Sequence, residues 1–441
     1  MKTIYTLCLA LVVLCAAAGP HAATPGQPEV LVYAPLEDGS IMHWLAISPL
    51  HYNVKYLGDS MSADVLHGET TARPRNGDRV QGPVWHKMHY SGCIQGPTVC
   101  ELFNVSGDYF EYGITANVVY LYLPTAHPHA IFAGSSDDGL KVILNGQKIW
   151  SNQIQRSPTY DSDQAPAPLR AGWNTLLVIV DQVWGGHLLC ARFLEADKPL
   201  TDLQIALDPP ADDARRYPAD TYNRDAAALM KQADAARQAG KLDDALAACD
   251  NTLAQFPLAE VAPRAAYVKA GIYDDLHGQP SLRQSAPARQ ALEELLARYG
   301  QDVLAEYALL DLAQLTAADD AARAETLFRS MEDRYPQSTL APRAQIEVAR
   351  LLAAQAKYED SLLTYRKILK KYPKSDEVMT ATVGIADTYR LAGEAEKARA
   401  QYLAARALAQ DWHDNKYGVD VGKQAWLAGI LDDVRQRLET K

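Results

Sequence analysis

The chain has 441 residues and a formal net charge of −11, with 48% hydrophobic and 22% charged side chains. This length allows two or three folded domains, and the composition argues against wholesale disorder. The acidic balance argues against a nucleic-acid partner, because phosphates need a basic surface and no basic stripe is visible in the sequence.

The first 23 residues have the three parts of a secretory signal peptide. Lys2 is a short positive region, residues 4–18 are apolar, and small residues up to Ala23 form a cleavage zone. The apolar run is short for a membrane span, and no later run approaches about 18 apolar residues. We therefore predict an exported protein that is periplasmic, outer-membrane-associated or secreted, with no transmembrane span. Lipidation is not expected, because Leu14 is a poor residue before Cys15.

Four cysteines follow the predicted cleavage site, and an oxidising compartment favours disulfides. Cys93 and Cys100 flank a Gly-Pro turn, so we predict a disulfide between them that contributes about 2–3 kcal/mol. Two free buried thiols are the alternative. Cys190 lies in an apolar run and Cys249 in a predicted helix, so both are interpreted as inert core residues.

Residues 24–207 are typical of β structure, with short apolar runs separated by Gly, Pro, Asn and Asp. Asn145-Gly146 between two such runs predicts a tight hairpin. Many short strands at this spacing predict a jelly-roll-like β-sandwich. The predicted strands are 30–34, 42–48, 118–124, 129–135, 140–145, 147–152, 174–183 and 188–195.

Residues 208–220 are rich in Pro and Asp and are predicted to form a linker, after which the chain is Ala-rich with a helical period. An aromatic residue followed by Pro or Gly closes successive amphipathic segments about every 40 residues. This repetition predicts a solenoid of helical hairpins over 221–441, ended by a capping helix at 411–438. The closing pairs are Phe256-Pro257, Tyr299-Gly300, Tyr335-Pro336 and Tyr372-Pro373.

Residues 225–410 resemble tetratricopeptide repeats of the periplasmic kind, whose hairpins end in Tyr-Pro. The resemblance is carried by YEDSLLTYRKILKKYPKS (358–375) and DDAARAETLFRSMEDRYPQS (319–338), and is weaker over 259–300. It implies a groove that binds an envelope or secreted protein or peptide through the first helix of each hairpin. The implied groove residues are Tyr267, Tyr307, Glu347, Asp387, Tyr389 and Arg390.

The β half resembles protective-antigen-type and galactose-binding-like β-sandwich modules, which are carbohydrate-binding or packing domains. The matching segments are HWLAISPL (43–50), GSSDDGLKVILNGQKIW (134–150) and the run at 169–193. In lectin members of the first group, adjacent aspartates joined by a cis peptide chelate calcium, and the metal holds sugar hydroxyls. The resemblance implies Asp137 and Asp138 as that pair and Asn145 as a further ligand. We favour the alternative, a turn in which a carboxylate caps backbone amides.

Aromatic side chains suit sugar recognition because they stack on the apolar faces of sugars. Trp184 and Tyr160 are the candidates for this role, whereas Trp150 and Trp173 are interpreted as core residues. The histidines of HKMH (86–89) and HPH (127–129) are ligands that zinc or copper accepts. No carboxylate-containing signature accompanies them, so we interpret them as loop histidines.

These patterns predict an exported, non-catalytic scaffold. Its solenoid recognises a protein or peptide, and its β-sandwich binds glycan or docks on a partner. The alternatives are a calcium-dependent lectin and a polysaccharide-active enzyme. Catalysis is not expected, because no spacing singles out a pair among Glu101, Glu111, Asp137 and Asp138, and no nucleophile elbow or phosphate-binding loop is found. No cofactor is expected, apart from calcium in the lectin alternative.

Overall fold

The computed structural model describes residues 28–50, 61–80, 83–90, 100–102, 112–183, 185–274, 285–336, 338–416 and 421–439. The chain divides into two compact units, Met1–Ala262 and Pro263–Lys441. The predicted signal peptide at 1–23 lies outside the described residues. Within the described residues, no helix is both long and apolar enough to cross a membrane.

The first unit contains two main β-sheets. The larger has the strand order β3-β2-β5-β10-β7-β8, with β13 also on β5, and the smaller has the order β12-β11-β6-β9, with β4 also on β11. Each predicted strand has a counterpart, while the jelly-roll arrangement stays a prediction. The bounds are β1 Glu29–Val32, β2 His43–Leu50, β3 His86–His89, β4 Cys100–Glu101, β5 Gly113–Leu123, β6 Ile131–Asp137, β7 Leu140–Leu144, β8 Gln147–Asn152, β9 Asp163–Pro166, β10 Gly172–Gln182, β11 Leu188–Glu195, β12 Lys198–Pro199, β13 Gln204–Ala206 and β14 Arg215–Pro218.

Strand β5 is buried on both faces. On one face Val119 shares a hydrophobic core with Phe132 of the smaller sheet. On the other face Val118 packs in a second core with Trp85 and residues of the 61–72 segment. A strand covered on both faces has no polar face to present, which explains its continuous apolar sequence.

The Asn145-Gly146 hairpin forms as predicted. Strands β7 and β8 pair in antiparallel orientation, and Asn145 and Gly146 have φ values of 51° and 80°. Positive φ at both central residues is the requirement of the tight turn that matches the twist of two paired strands.

The segment predicted as a linker is instead part of the first unit. Strand β14 pairs in parallel with β1 and runs directly into helix α1, Ala219–Gln238. The unit also includes α2, Leu242–Gln255, and extends to Ala262. Tyr217, Tyr222 and Phe256 form a shared buried cluster, which is why the first helical hairpin belongs with the sheets. The structure therefore differs from the predicted linker at 208–220 and from the predicted domain boundary at 220.

The second unit is helical, and its aromatic pairs end helices as predicted. Tyr335 and Tyr372 are the C-caps of α6 and α8, as Phe256 is for α2, and Tyr299 follows the last residue of α4. The bounds are α3 Ala262–Asp274, α4 Ser285–Arg298, α5 Leu304–Ala317, α6 Ala321–Arg334, α7 Ala341–Ala354, α8 Tyr358–Lys371, α9 Glu377–Leu391, α10 Ala395–Asp411 and α11 Val421–Glu439, with a π-helical turn at Trp412–Lys416.

Each hairpin of this unit shares a core with the helix that follows it. Phe328 of α6 packs with Leu309 of α5 and Val348 of α7, and Tyr365 of α8 packs with Ile385 of α9. Trp412 and Leu427 form a core with Met379, so α11 caps the last hairpin. These nearest-neighbour cores are what a solenoid of stacked hairpins requires.

Candidate functional site

The first helices of three successive hairpins, α3, α5 and α7, carry polar side chains that lie close together. The Tyr267 hydroxyl donates a hydrogen bond to Asp311 Oδ2 at 2.6 Å. Tyr307 is 44% exposed and lies close enough to Tyr267 to interact electrostatically, as Arg343 does with Asp311. We call Tyr267, Tyr307, Asp311 and Arg343 the first-helix patch.

The carboxylate of this patch is partly withdrawn from water. Burial raises the pKa of Asp311, while the hydrogen bond from Tyr267 and the charge of Arg343 act in the opposite direction. Burial and the bond to Asp311 raise the pKa of Tyr267, so this hydroxyl stays protonated and keeps its role as a donor. The patch therefore offers a fixed acceptor, an exposed aromatic ring and a cation to a ligand.

Sequence reasoning selected Tyr267 and Tyr307 but missed Asp311 and Arg343. Asp311 follows Tyr307 by four residues, which places both on one face of a helix, and this spacing is a signal that could have found it. Arg343 lies on the next hairpin, and no local spacing relates it to Asp311.

The other predicted groove residues contact side chains of their own or of neighbouring helices. Glu347 accepts a hydrogen bond from Arg350 at 2.7 Å, one turn along the same helix. The Tyr389 hydroxyl accepts one from Arg366 of α8 at 2.8 Å, and Lys397 lies 5.5 Å from the centre of its ring. These contacts reduce the number of side-chain polar atoms that remain available to a partner.

Asp387, also predicted for the groove, contacts the two helices that follow it. Its carboxylate accepts hydrogen bonds from the Tyr402 hydroxyl of α10 and from the Arg437 guanidinium of α11. Arg390, 56% exposed at its side chain, reaches the same carboxylate only at 4.0 Å. Asp387 therefore links the capping helix to the last hairpin, and its role in partner binding stays a prediction.

In the first unit, Asp137 and Asp138 are joined by a cis peptide bond, as the resemblance implied, and both are buried. Asp138 Oδ1 accepts the Arg156 backbone N–H at 3.0 Å, and its Oδ2 accepts the Val183 backbone N–H at 2.8 Å. Burial and the neighbouring Asp138 raise the pKa of Asp137 to about 6. Asp138 thus has the amide-capping role of the turn interpretation.

The donors implied for calcium do not converge. Asn145 lies at the opposite end of β7, roughly 16 Å along a five-residue strand from Asp138. Its Oδ1 accepts hydrogen bonds from the Thr175 backbone N–H and from Arg170, both at 3.0 Å. No group of three or more His, Cys, Asp or Glu that could hold a metal is found in the described ranges. Calcium needs six to eight oxygens, and Asn145 lies too far from Asp137 and Asp138 to share one ion with them, so calcium binding by the aspartate pair stays a prediction without Asn145.

The aromatic candidates for sugar binding are largely engaged. The Tyr160 hydroxyl donates to Asp38 Oδ2 at 2.8 Å, and the Arg192 guanidinium lies 4.2 Å from its ring centre. Trp150 and Trp173 pack against the two hydrophobic cores of the unit, in agreement with their interpretation as core residues. Trp184 lies outside the described residues.

The predicted disulfide between Cys93 and Cys100 is not formed. Cys100 is a free, buried thiol whose Sγ lies 3.6 Å from the Ile41 carbonyl oxygen, and Cys93 lies outside the described residues. Burial raises the pKa of the Cys100 thiol, which keeps it protonated. Its side chain lies in the hydrophobic core between the sheets. Cys190 and Cys249 are buried, in agreement with their interpretation as core residues.

A family model of the tetratricopeptide repeat matches residues 227–259 and 344–375. These segments coincide with the first hairpin and with α7–α8, so the carboxy-terminal half contains tetratricopeptide repeats, which form scaffolds for protein interaction. No curated protein matches the chain significantly.

The solved structures similar to this chain include two that are described as tetratricopeptide repeat proteins. A tetratricopeptide repeat protein from Parabacteroides merdae is 15% identical, covering 49% of this chain and 82% of its own, with a TM-score of 0.34. MamA from Desulfovibrio magneticus is 11% identical, covering 42% and 96%, with a TM-score of 0.33. YrrB, described as a repeat protein with an unusual peptide-binding site, is 18% identical, covering 44% and 90%, with a TM-score of 0.32. At these values the matches carry no information about ligands.

Proposed function

We propose that this protein is a non-catalytic scaffold that binds a protein or peptide partner through the first-helix patch. The observation that carries the proposal is the exposed Tyr307 beside the hydrogen-bonded Tyr267–Asp311 pair and Arg343, on successive first helices. Tyr and Arg are the residue types that contribute most to binding at protein interfaces.

The patch is suited to an extended peptide. Asp311 is positioned to accept backbone or side-chain N–H groups, Arg343 to pair with a carboxylate, and Tyr307 to cover an apolar side chain. Because the nearest-neighbour cores already hold these helices in place, little further ordering is needed on binding.

The test is capture of partners from envelope extract by the full chain, compared with the double variant Y307A/R343A. We expect capture to fall at least about 30-fold, which corresponds to loss of a residue worth about 2 kcal/mol. The matched control is L363A, since Leu363 is 63% exposed on the second helix α8. Equal capture by wild type and Y307A/R343A would contradict the proposal, as would equal losses in Y307A/R343A and L363A.

The location that suits this role is outside the cytoplasm, where the predicted signal peptide would direct the chain. The support is the sequence of residues 1–23. Cell fractionation of the full chain and of a chain lacking 2–23 tests it. We expect the full chain in the envelope or medium fraction and the shortened chain in the cytoplasm; identical distributions would contradict export.

Calcium-dependent glycan binding by the first unit is a second candidate. The observation in its favour is the Asp137 carboxylate, which is buried beside Asp138 and accepts no hydrogen bond within the described residues. A cation bound to Asp137 would need further oxygen ligands. The side-chain oxygens of Asp138 and Asn145 already accept hydrogen bonds.

Isothermal titration of the full chain with calcium, then with glycans in calcium or chelator, decides this candidate. Support would be calcium binding that is lost in D137N and kept in D212N, a substitution of an exposed aspartate. Absence of calcium binding in the wild type would contradict this candidate. It would favour the interpretation of Asp137 and Asp138 as part of a turn that caps backbone amides.

A further inference from the structure

Two histidines face each other across strands β2 and β3 of the first unit. His43 and His89 are register partners in this antiparallel pair, and their Nδ1 atoms are 2.9 Å apart. The Tyr33 ring lies against both imidazoles, with centroid distances of 4.4 and 5.0 Å. The His89 side chain is 33% exposed, so an ion in solution can reach the pair.

A carboxylate lies near the outer ring nitrogen of His89. Glu260 Oε1 lies 3.8 Å from His89 Nε2, the ring nitrogen that does not face His43. The same oxygen accepts hydrogen bonds from Asn223 Nδ2 at 3.0 Å and from the Tyr33 hydroxyl at 3.4 Å, which hold it in place. Metal-binding histidines usually direct their second N–H at a carboxylate, and this fixes the tautomer that leaves the other nitrogen free to bind.

The two Nδ1 atoms face each other, with ring centroids 5.1 Å apart, so binding of one ion by both requires a rotation of the rings. With metal–nitrogen bonds of about 2.0–2.1 Å, two ligands at adjacent corners of a square lie about 2.9 Å apart, and two corners of a tetrahedron about 3.3 Å. Imidazole nitrogens in square or tetragonal arrangements are typical of Cu²⁺ and Ni²⁺.

We propose that His43 and His89 bind a divalent transition-metal ion, Cu²⁺ in preference to Zn²⁺, through their Nδ1 atoms, with Glu260 positioning the His89 ring. In this proposal water fills the remaining coordination positions. Such a site would link β2 to β3. It would lie beside Asn223 of α1 and Glu260, which follows α2.

The surrounding charge favours a cation. The carboxylates of Glu260, Asp208 and Asp220 interact electrostatically with Tyr33, and Asp220 also interacts with His43. The nearest basic side chain on β3, Lys87, forms an ion pair with Asp208. His43 and His89 lie 46 residues apart in the chain, so a search for local spacing does not relate them.

A hydrogen bond between a protonated and an unprotonated Nδ1 gives the same 2.9 Å separation, and the experiment separates the two cases. Untagged full-length protein is titrated with Cu²⁺ and followed by electron paramagnetic resonance and isothermal titration. We expect one tight site whose spectrum shows coupling to two imidazole nitrogens. H43Q and H89Q should each weaken binding at least about 100-fold and remove this coupling, and E260Q should weaken it about 10-fold.

The matched control is H86Q, because His86 is on the same strand but pairs with Ala46 and is not part of the histidine pair. Its Cu²⁺ affinity should equal that of the wild type. Cu²⁺ should also raise the Tm of the wild type and of H86Q, and leave the Tm of H43Q and H89Q unchanged. Circular dichroism without metal verifies that each variant is folded.

Three results would overturn the proposal. These are an affinity for Cu²⁺ that is unchanged in both H43Q and H89Q, an equal loss in H86Q, and a wild-type spectrum without nitrogen coupling. Each would leave His43 and His89 as a hydrogen-bonded pair that serves only the contact between their strands.

Discussion

At the scale of single residues, the first unit contains a buried ion pair between Lys141 and Glu69. The Lys141 ammonium on β7 donates to Glu69 Oε1 at 2.8 Å and to the Ala63 carbonyl oxygen at 2.6 Å. Their side chains are only 2% and 7% exposed, and Glu69 also accepts the Val65 backbone N–H at 2.7 Å. The pair therefore holds the segment that covers one face of the larger sheet.

Breaking this pair on one side should be costly. We expect E69Q to lower the free energy of unfolding of the first unit by about 3–5 kcal/mol, because the Lys141 charge stays buried without its partner. The double variant K141M/E69L should recover most of the loss. Hydrogen exchange of the β5 and β10 amides measures the loss of stability in E69Q and its recovery in K141M/E69L. K148M, which replaces an exposed lysine, serves as the control. Equal stability of E69Q and wild type would show that the pair is dispensable.

The raised pKa of Asp311 predicts a pH-dependent contribution to stability. A carboxyl whose pKa is raised on folding is bound to its proton more tightly in the folded state, so the contribution is present at low pH and is lost as pH rises. D311N keeps an acceptor for Tyr267 and removes the charge. It should raise the Tm at pH 8 and have no effect at pH 3.

Circular dichroism, whose signal is dominated by the helices, measures this Tm difference. The matched control is D360N, since Asp360 is exposed on α8. An increase in Tm for D311N that is equal at pH 3 and pH 8 would show that ionisation of Asp311 does not affect stability.

At the scale of helices, one glycine determines how closely two hairpins approach. A Cβ at Gly384 of α9 would lie 2.4 Å from Cζ of Tyr365 on α8, whereas a Cβ at Gly271 of α3 would meet no atom within 4 Å. Tyr365 is 3% exposed and packs with Ile385, so its ring has little room to move.

The two glycines therefore predict opposite effects of the same substitution. G384A should lower the free energy of unfolding by about 1–3 kcal/mol through overpacking. G271A should raise it by about 0.5–1 kcal/mol, because alanine restricts the unfolded chain and favours the helix. Urea unfolding of the full chain measures both, and a stabilising G384A would show that α8 and α9 separate easily.

At the scale of the whole molecule, the first helical hairpin is part of the unit that contains the sheets. Tyr222 of α1 is fully buried and packs on Tyr217 of β14 and Phe256, with ring centroids 5.1 Å apart in each case. Strand β14 in turn pairs with β1. Loss of the Tyr222 ring should thus loosen both helix and strand.

We expect Y222A to destabilise the first unit by about 3–5 kcal/mol and to speed hydrogen exchange in α1 and in β1 together. The matched control is Y402A, which removes a tyrosine of the second unit that is 2% exposed. Its effect should be confined to 263–441. Faster exchange in α1 with unchanged exchange in β1 would mean that the hairpin folds separately from the sheets.

Local sequence patterns predicted the strands, the Asn145-Gly146 hairpin and the helix ends at Phe256, Tyr335 and Tyr372. These features follow from local rules, because alternation, turn chemistry and helix stops act within a few residues. The match of 344–375 to the tetratricopeptide repeat agrees with the same local pattern.

Tertiary packing sets which distant side chains meet. It brought His43 to His89, Asp311 to Arg343 and β14 to β1, and it separated Asn145 from Asp138 by the length of a strand. It also placed the Cys100 side chain in a hydrophobic core. It positioned the Asp138 carboxylate to accept hydrogen bonds from two backbone amides. Such contacts join residues far apart in the chain, and the packing of whole elements sets them, which no local pattern encodes.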